Sequence, residues 1–204
     1  MIRVVHQGNR SHFNELMDRQ FRLRHEVFVK ERGWTGLEVD GAYEKDQYDN
    51  ESATYLIAAD DRGAVAGGFR LYPTTLPHML TEQFPTLVEG SIPRRTDMLE
   101  LTRFAMRKTE RRSRHYFELL VAIQEYGLAE GLAGYTSVIS PLRLPILQGF
   151  GFEIEPLGLP QSIDGDAAMA VFFTVSEAGL ARVRKAANID LSVLDETVLQ
   201  RRRA

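Results

Sequence analysis

An arginine stands where the buried side of a helix should be. After Asn9, the residues Phe13, Leu16, Met17, Gln20, Phe21, Arg24 and Phe28 recur at helical spacing, which predicts an amphipathic helix with Phe21, Arg24 and Phe28 on one face. A buried, unpaired guanidinium is costly, so a fold of this chain has to bring carboxylates to Arg24. The supply follows at once. From Gly36 to Glu51 the chain carries Glu38, Asp40, Glu44, Asp46, Asp49 and Glu51 against the single Lys45, a local net charge of about −5. A structural ion pair with Asp46 or Asp49 and a part in shaping a site both meet the demand, and the spacing leaves both open.

Between Arg94 and His115 the balance inverts. Arg94, Arg95, Arg103, Arg107, Lys108, Arg111, Arg112 and Arg114 outweigh Asp97, Glu100 and Glu110, for a local charge of about +5. The chain as a whole is at −3, which argues against general nucleic-acid binding. No cysteine is present in the 204 residues, which removes disulfides, thiolate metal sites and a cysteine nucleophile together. The five histidines show no HxxxH or HExxH spacing, so no metal is expected. The N-terminus lacks a secretory pattern and no stretch has the ~20 apolar residues of a membrane span, so a cytoplasmic protein is expected. Residues 1–187 read as one domain, followed by a frayed tail at 188–204.

Strands are predicted at Ile2 to Val5, Ala53 to Ala59, Ala64 to Tyr72, Met98 to Met106, Tyr135 to Ser140, Gly151 to Glu155 and Met169 to Val175. The polar DDRG stretch marks a hairpin between the second and third. Helices are predicted for one turn near Met79 to Phe84, for Phe117 to Leu132, for Pro145 to Gly149 and for Glu177 to Ala187. Helices interposed among partly antiparallel strands predict an α/β fold, a three-layer α/β/α sandwich around a mixed twisted sheet.

Phe28 and Trp34 offer ring faces near acids, a pairing suited to a desolvated onium ion through cation–π attraction. Each ring alone reads equally as core. Arg70 ends a strand, where its fork can take the acidic loop or a ligand carboxylate. Glu100 lies in an otherwise apolar strand, where desolvation raises the proton affinity expected of it and makes it a candidate general base. Strict alternation puts Glu100 and Arg103 on opposite faces, so they serve different neighbours unless a bulge joins them. The cluster of Arg107, Lys108, Arg111, Arg112 and Arg114 suits phosphate or an acidic protein surface, and also reads as a solvated turn. Walker, GxSxG and dinucleotide spacings are absent.

With these residues in view, the chain resembles the acyl-homoserine-lactone synthases, the autoinducer synthases of quorum sensing. RxxVF at Arg24 to Phe28, Trp34, ExDxxD at Glu44, Asp46 and Asp49, the GxRLxPT-like stretch around Arg70 and ELTRF at Glu100 to Phe104 carry the resemblance, which runs to about Phe173. It implies a fold similar to GCN5-type N-acyltransferases, with S-adenosylmethionine and an acyl thioester as substrates and no cofactor. It further implies acyl transfer to the methionine amine and lactonisation with release of 5′-methylthioadenosine. The catalytic set is then Glu100 as base with Arg24, Asp46, Asp49, Arg70 and Arg103, and Phe28, Trp34, Asp46 and Arg103 frame S-adenosylmethionine. Leu99, Leu101, Phe104, Leu119, Val138, Ser140, Met169 and Phe172 are expected to line the acyl pocket. The basic cluster is expected to dock acyl carrier protein or the phosphates of coenzyme A. Ser140 takes the neighbourhood of a threonine frequent in 3-oxoacyl enzymes, and Leu142 and Arg143 replace paired tryptophans of a coenzyme A-using branch, so the donor stays open. A GCN5-type N-acetyltransferase is the competing enzyme class, and RKTERRSRHYF has none of the glycines its pyrophosphate segment needs.

Overall fold

The computed structural model describes residues 1–34, 37, 39–60 and 62–195. Glu38 of the acidic run and residues 196–204 of the expected tail lie outside them. In chain order, β1 (Ile2–Val5) leads through a 3-10 turn into α1 (Asn14–Arg24), which continues as a π-helix over His25–Glu31. A small hairpin of β2 (Val39–Asp40) and β3 (Tyr43–Glu44) follows, then β4 (Thr54–Ala59), β5 (Val65–Pro73), α2 (Met79–Glu82) and β6 (Met98–Met106). The remainder is α3 (Arg114–Glu130), β7 (Gly134–Ile139), α4 (Leu144–Gly149), β8 (Ile154–Pro156), β9 (Gln161–Ile163), β10 (Asp166–Thr174) and α5 (Glu177–Ala187). The mixed strands with interposed helices are the α/β class expected.

The chain packs as two compact units. Among the described residues, one holds those of Met1–Leu71, Arg103–Ala122 and 193–195, and the other holds Tyr72–Thr102 and Ile123–Ser192. β5, β6 and α3 each run from one unit into the other.

In the first unit β1, β4 and β5 pair antiparallel, with Ile2 opposite Ala58 and Tyr55 opposite Arg70. The β4–β5 turn is held by Asp60, whose side chain accepts the Arg62 and Ala64 N–H groups, the arrangement that favours Asp in turns. Phe104 at the end of β6 stacks on Phe69 of β5 with centroids 6.0 Å apart. α1 buries Met17, Gln20, Phe21, Leu23 and Arg24. It lies close to β5 because Gly68 has no side chain there, where a Cβ would meet the Gln20 amide at 3.0 Å and the Leu56 carbonyl at 2.8 Å. Of the expected tail, residues 193–195 run along β1: the Ile2 N–H donates to Val193 O at 2.7 Å and the Asp195 N–H to Ile2 O at 3.0 Å. Val193 and Leu194 are buried.

In the second unit the start of β6 pairs parallel with β7, β7 pairs antiparallel with β10, and β10 also carries β8 and β9. Leu80, Leu87 and Ala170 form a core cluster with Val138 and Leu157 packed against it. The strand expected from Gly151 begins only at Ile154, because Gly151 turns the chain with φ +111°.

Candidate functional site

Arg24 finds two carboxylates, and from them a closed circuit of charge is built. Its Nε donates to Glu44 at 2.5 Å, and its two terminal nitrogens grip Asp49 at 2.7 and 2.8 Å. Asp49 also takes Arg70 at 2.9 Å. Arg70 reaches on to Asp46, Asp46 takes Arg103 at 2.8 Å, and Arg103 Nε returns to Glu44 at 3.0 Å. Three arginines and three carboxylates alternate around a six-membered ring in which each charge touches two of opposite sign. Of the two partners expected for Arg24, Asp49 is the one found, joined by Glu44, while Asp46 belongs to Arg70 and Arg103. The ring also changes the electrostatic picture, since the acidic run here is matched by arginines rather than standing as bare negative charge.

Four ring members have side chains no more than 2% exposed, whereas Asp46 is at 11% and Arg103 at 9%. Only those two meet the surroundings appreciably. Burial works to raise the Asp49 carboxyl, but the Arg24 and Arg70 guanidiniums outweigh it and hold Asp49 well below the usual range. Burial likewise works against charged Arg24, and Asp49 with Glu44 overturns it, leaving the guanidinium more firmly protonated than usual. Tyr55 donates to Asp49 at 2.8 Å, and burial together with that carboxylate pushes its phenol far up. Arg103 sits inside β6 with φ +55°, a left-handed conformation that interrupts the strand and re-aims the side chain.

The π-helix supplies the aromatic part. Phe28, 1% exposed, stacks on Trp34 with centroids 5.1 Å apart and planes within 4°. The Arg103 guanidinium carbon lies 5.8 Å from the Phe28 ring. Arg32 stands over both rings, at 5.1 Å from Phe28 and 5.0 Å from Trp34. The cation–π position anticipated for an onium ligand is thus taken by the chain's own arginine.

Glu100, in the second unit, is 2% exposed and caps α2: Oε1 accepts the Leu80 N–H at 2.7 Å and Oε2 the Met79 N–H at 3.1 Å. Such bonds favour the ionised carboxylate, the opposite influence to the burial on which the base assignment leaned. Glu100 bonds to α2 and Arg103 to Glu44 and Asp46, and the left-handed backbone at Arg103 breaks the strict alternation on which the expectation for the two rested. His78, just before Met79, is fully enclosed, with Nδ1 at 2.8 Å from Leu76 O and Nε2 without a partner among the described residues. Burial is the main influence lowering its proton affinity.

The basic turn is exposed but not wholly free. Arg107 donates to Val65 O at 2.6 Å, Arg111 pairs with Glu31 at 2.5 Å and Arg114 with Glu118 at 2.9 Å. Lys108 opens a 3-10 turn and Arg112 is left-handed at φ +93°.

The expected acyl-lining set does not share one face. Thr136 pairs with Phe172 and Val138 with Ala170, so Val138 and Phe172 lie on the side of the sheet that Glu100 shares through its partner Thr136. Leu99 pairs with Tyr135 on the other side, as Met169 does with Ile139, and Leu101 follows Leu99 by alternation. Ser140 is exposed beyond the end of β7. In the first unit Phe104 packs on Phe69 and Tyr116, and Leu119 is fully buried. Glu44 and Arg32 were absent from the expected site residues. Glu44 was signalled by the ExDxxD spacing, while Arg32 carries no pattern of its own.

The model of the autoinducer synthase family matches residues 8–183. The isovaleryl-homoserine lactone synthase of Bradyrhizobium diazoefficiens is 37% identical over 172 residues, covering 83% of this chain and 78% of that protein. Among solved structures, the coenzyme A-dependent acyl-homoserine lactone synthase BjaI, with S-adenosylmethionine and isopentyl-CoA, superposes with a TM-score of 0.90 at 31% identity, covering 100% of this chain and 99% of that one. The coenzyme A-dependent synthase MesI gives 0.89 at 28% identity over 96% of this chain and 100% of that one. A putative N-acetyltransferase from Lactobacillus plantarum, at 17% identity and a TM-score of 0.58 over 86% of this chain and 99% of that one, shares the fold alone. The matched span takes in the charge ring, the stacked rings, Glu100 and the basic turn together, and on that breadth the chain belongs to the autoinducer synthase family.

Proposed function

We propose that this chain makes acyl-homoserine lactones for quorum sensing, in the cytoplasm and with residues 1–187 acting as one synthase domain, by joining an acyl thioester to S-adenosylmethionine. The observation that carries the assignment is the charge ring, whose two accessible members, Asp46 and Arg103, come with the Phe28–Trp34 pair. A substrate bearing a sulfonium, an ammonium and a carboxylate needs both signs of charge and a ring face, and this group supplies them. Arg24, Glu44, Asp49 and Arg70 hold Asp46 and Arg103 in place. Helices long and apolar enough to cross a membrane are absent among the described residues.

Glu100 is assigned the base. Its two oxygens accept the Leu80 and Met79 backbone N–H groups, which fix the direction from which the carboxylate meets an ammonium proton. The amine, freed of that proton, forms the C–N bond with the thioester carbonyl carbon, and the C–S bond breaks with its electron pair on sulfur, the departing thiolate taking the second nitrogen proton to leave as the free thiol. The methionine carboxylate then attacks the carbon bound to sulfonium. Negative carboxylate and positive sulfonium become neutral lactone and neutral 5′-methylthioadenosine. Positioning supplies much of the rate in such a scheme. No cofactor enters it, both small molecules being substrates.

For the donor we assign a coenzyme A thioester over acyl carrier protein, supported by likeness to two coenzyme A-dependent synthases, with Lys108 and Arg112 facing its phosphates. Incubation of the pure protein with S-adenosylmethionine and matched coenzyme A and carrier-protein thioesters, read by mass spectrometry and methylthioadenosine release, tests this. An acyl-homoserine lactone from the coenzyme A panel is expected. Acetylation of other amines without methylthioadenosine would move the protein to the N-acetyltransferase class.

A further inference from the structure

Glu100 and Thr136 are register partners in the parallel pairing of β6 with β7, and they form its last rung. β7 continues to Ile139 and stays paired with β10 along its whole length. One residue beyond the rung, the Ser137 hydroxyl rather than a backbone group reaches Leu101 O, at 2.8 Å. The ladder therefore opens directly after Glu100 and Thr136. Register partners project to the same side of a sheet, so the Thr136 side chain lies beside Glu100. It is completely buried, and its Oγ1 has no hydrogen-bond partner among the described residues. The other neighbours on that face, Val138, Ala170 and Phe172, offer no side-chain acceptor, and the Glu100 oxygens accept from the Met79 and Leu80 N–H groups. A buried hydroxyl without a partner is destabilising, and an isosteric valine would avoid that cost. A hydroxyl retained without a partner next to an assigned base calls for an acceptor that arrives with substrate.

We propose that the Thr136 hydroxyl contacts the reacting carbonyl oxygen of the acyl donor. This rests on the synthase assignment above. With the ammonium proton already on Glu100, the amine nitrogen bonds to the carbonyl carbon, the C=O electron pair moves onto oxygen, and Thr136 donates its hydrogen bond to that developing negative charge. When the pair returns to re-form C=O, the C–S bond breaks with its electrons on sulfur, and the departing thiolate takes the surplus proton from nitrogen to leave as the free thiol. Glu100 as an acceptor cannot stabilise an oxyanion, so a donor beside it completes the division of labour.

Steady-state kinetics and melting of T136V and T136S test the proposal. T136V should lose about 10²- to 10³-fold in kcat with little change in KM for either substrate, the loss typical of one oxyanion donor. T136S, which keeps the hydroxyl, should recover most of that loss. Free T136V should melt at or above the wild-type temperature, since the substitution removes an unpartnered group. An active wild type with T136V turning over equally fast overturns this role and leaves the synthase assignment standing. A T136V that melts well below wild type or does not fold also overturns it, because the hydroxyl then has a partner in the free protein. A wild type that makes no acyl-homoserine lactone overturns the assignment and this proposal together.

Discussion

Asp49→Asn would leave Arg24 and Arg70 each short of a counter-charge in a site closed to water. Removing one partner of a buried pair costs about 3–5 kcal/mol, so the urea midpoint of D49N is expected to fall by a corresponding amount. Conversion of Glu100 to Gln is expected to lower kcat by about 10²- to 10⁴-fold, as for loss of a general base, with S-adenosylmethionine binding retained by calorimetry. Turnover at the wild-type level would sink that assignment. Trp34 is the chain's one tryptophan, so its fluorescence reports directly on the stacked pair and the Arg32 above it. R32Q is expected to shift that emission in the free protein and to tighten S-adenosylmethionine binding, because a resident cation no longer competes for the ring faces. At this scale the need of Arg24 for carboxylates was legible from its helix face. Which carboxylates was not, because Glu44, Asp46 and Asp49 lie in a stretch whose path is set by the arginines themselves rather than by local periodicity. The orphaned Thr136 hydroxyl was equally hidden, since an unmade bond has no sequence signature.

The elements followed their periodicities where those were strong. β1, β6 and α5 fall at the residues expected, because alternation and the helical stripe each select one face for burial. The interruption of β6 at Arg103 left no such trace, nor did the π-helical continuation of α1, since both are imposed by the charge and ring contacts they serve. β7 shows how tightly one element can depend on a missing side chain. A Cβ at Gly134 would fall 2.1 Å from Phe173 O and 2.4 Å from the Phe172 ring. G134A is therefore expected to push β7 from β10 and to lower stability by more than the about 1 kcal/mol of an average substitution, measured by chemical denaturation. The placement of 193–195 against β1 was likewise invisible, because a short stretch with Val193 and Leu194 has no period to read.

For the whole molecule, the depressed Asp49 carboxyl links stability to pH. A group whose folded value lies below its unfolded one, about 3.9 for Asp, contributes fully above that unfolded value and loses its contribution as pH falls towards the folded one. Glu118 acts with the same sign: burial raises it, but Arg114 and the N-terminal amine bring it below its usual range. Melting temperatures from pH 7 down to pH 2 should hold near neutrality and drop steeply below about pH 4. A flat profile would show that these carboxylates have no unusual partners. The ring also has a history within each chain's synthesis. A ribosome releasing the protein from its N-terminus exposes Arg24, Glu44, Asp46, Asp49 and Arg70 well before Arg103. At about 5–20 residues per second, the nascent chain spends an interval of seconds with one acid more than it can neutralise. Glu44 and Asp46 then wait, hydrated, for the cation that lets them go under cover, and completing the circuit becomes a late event that certifies the chain has been made as far as its sixth strand.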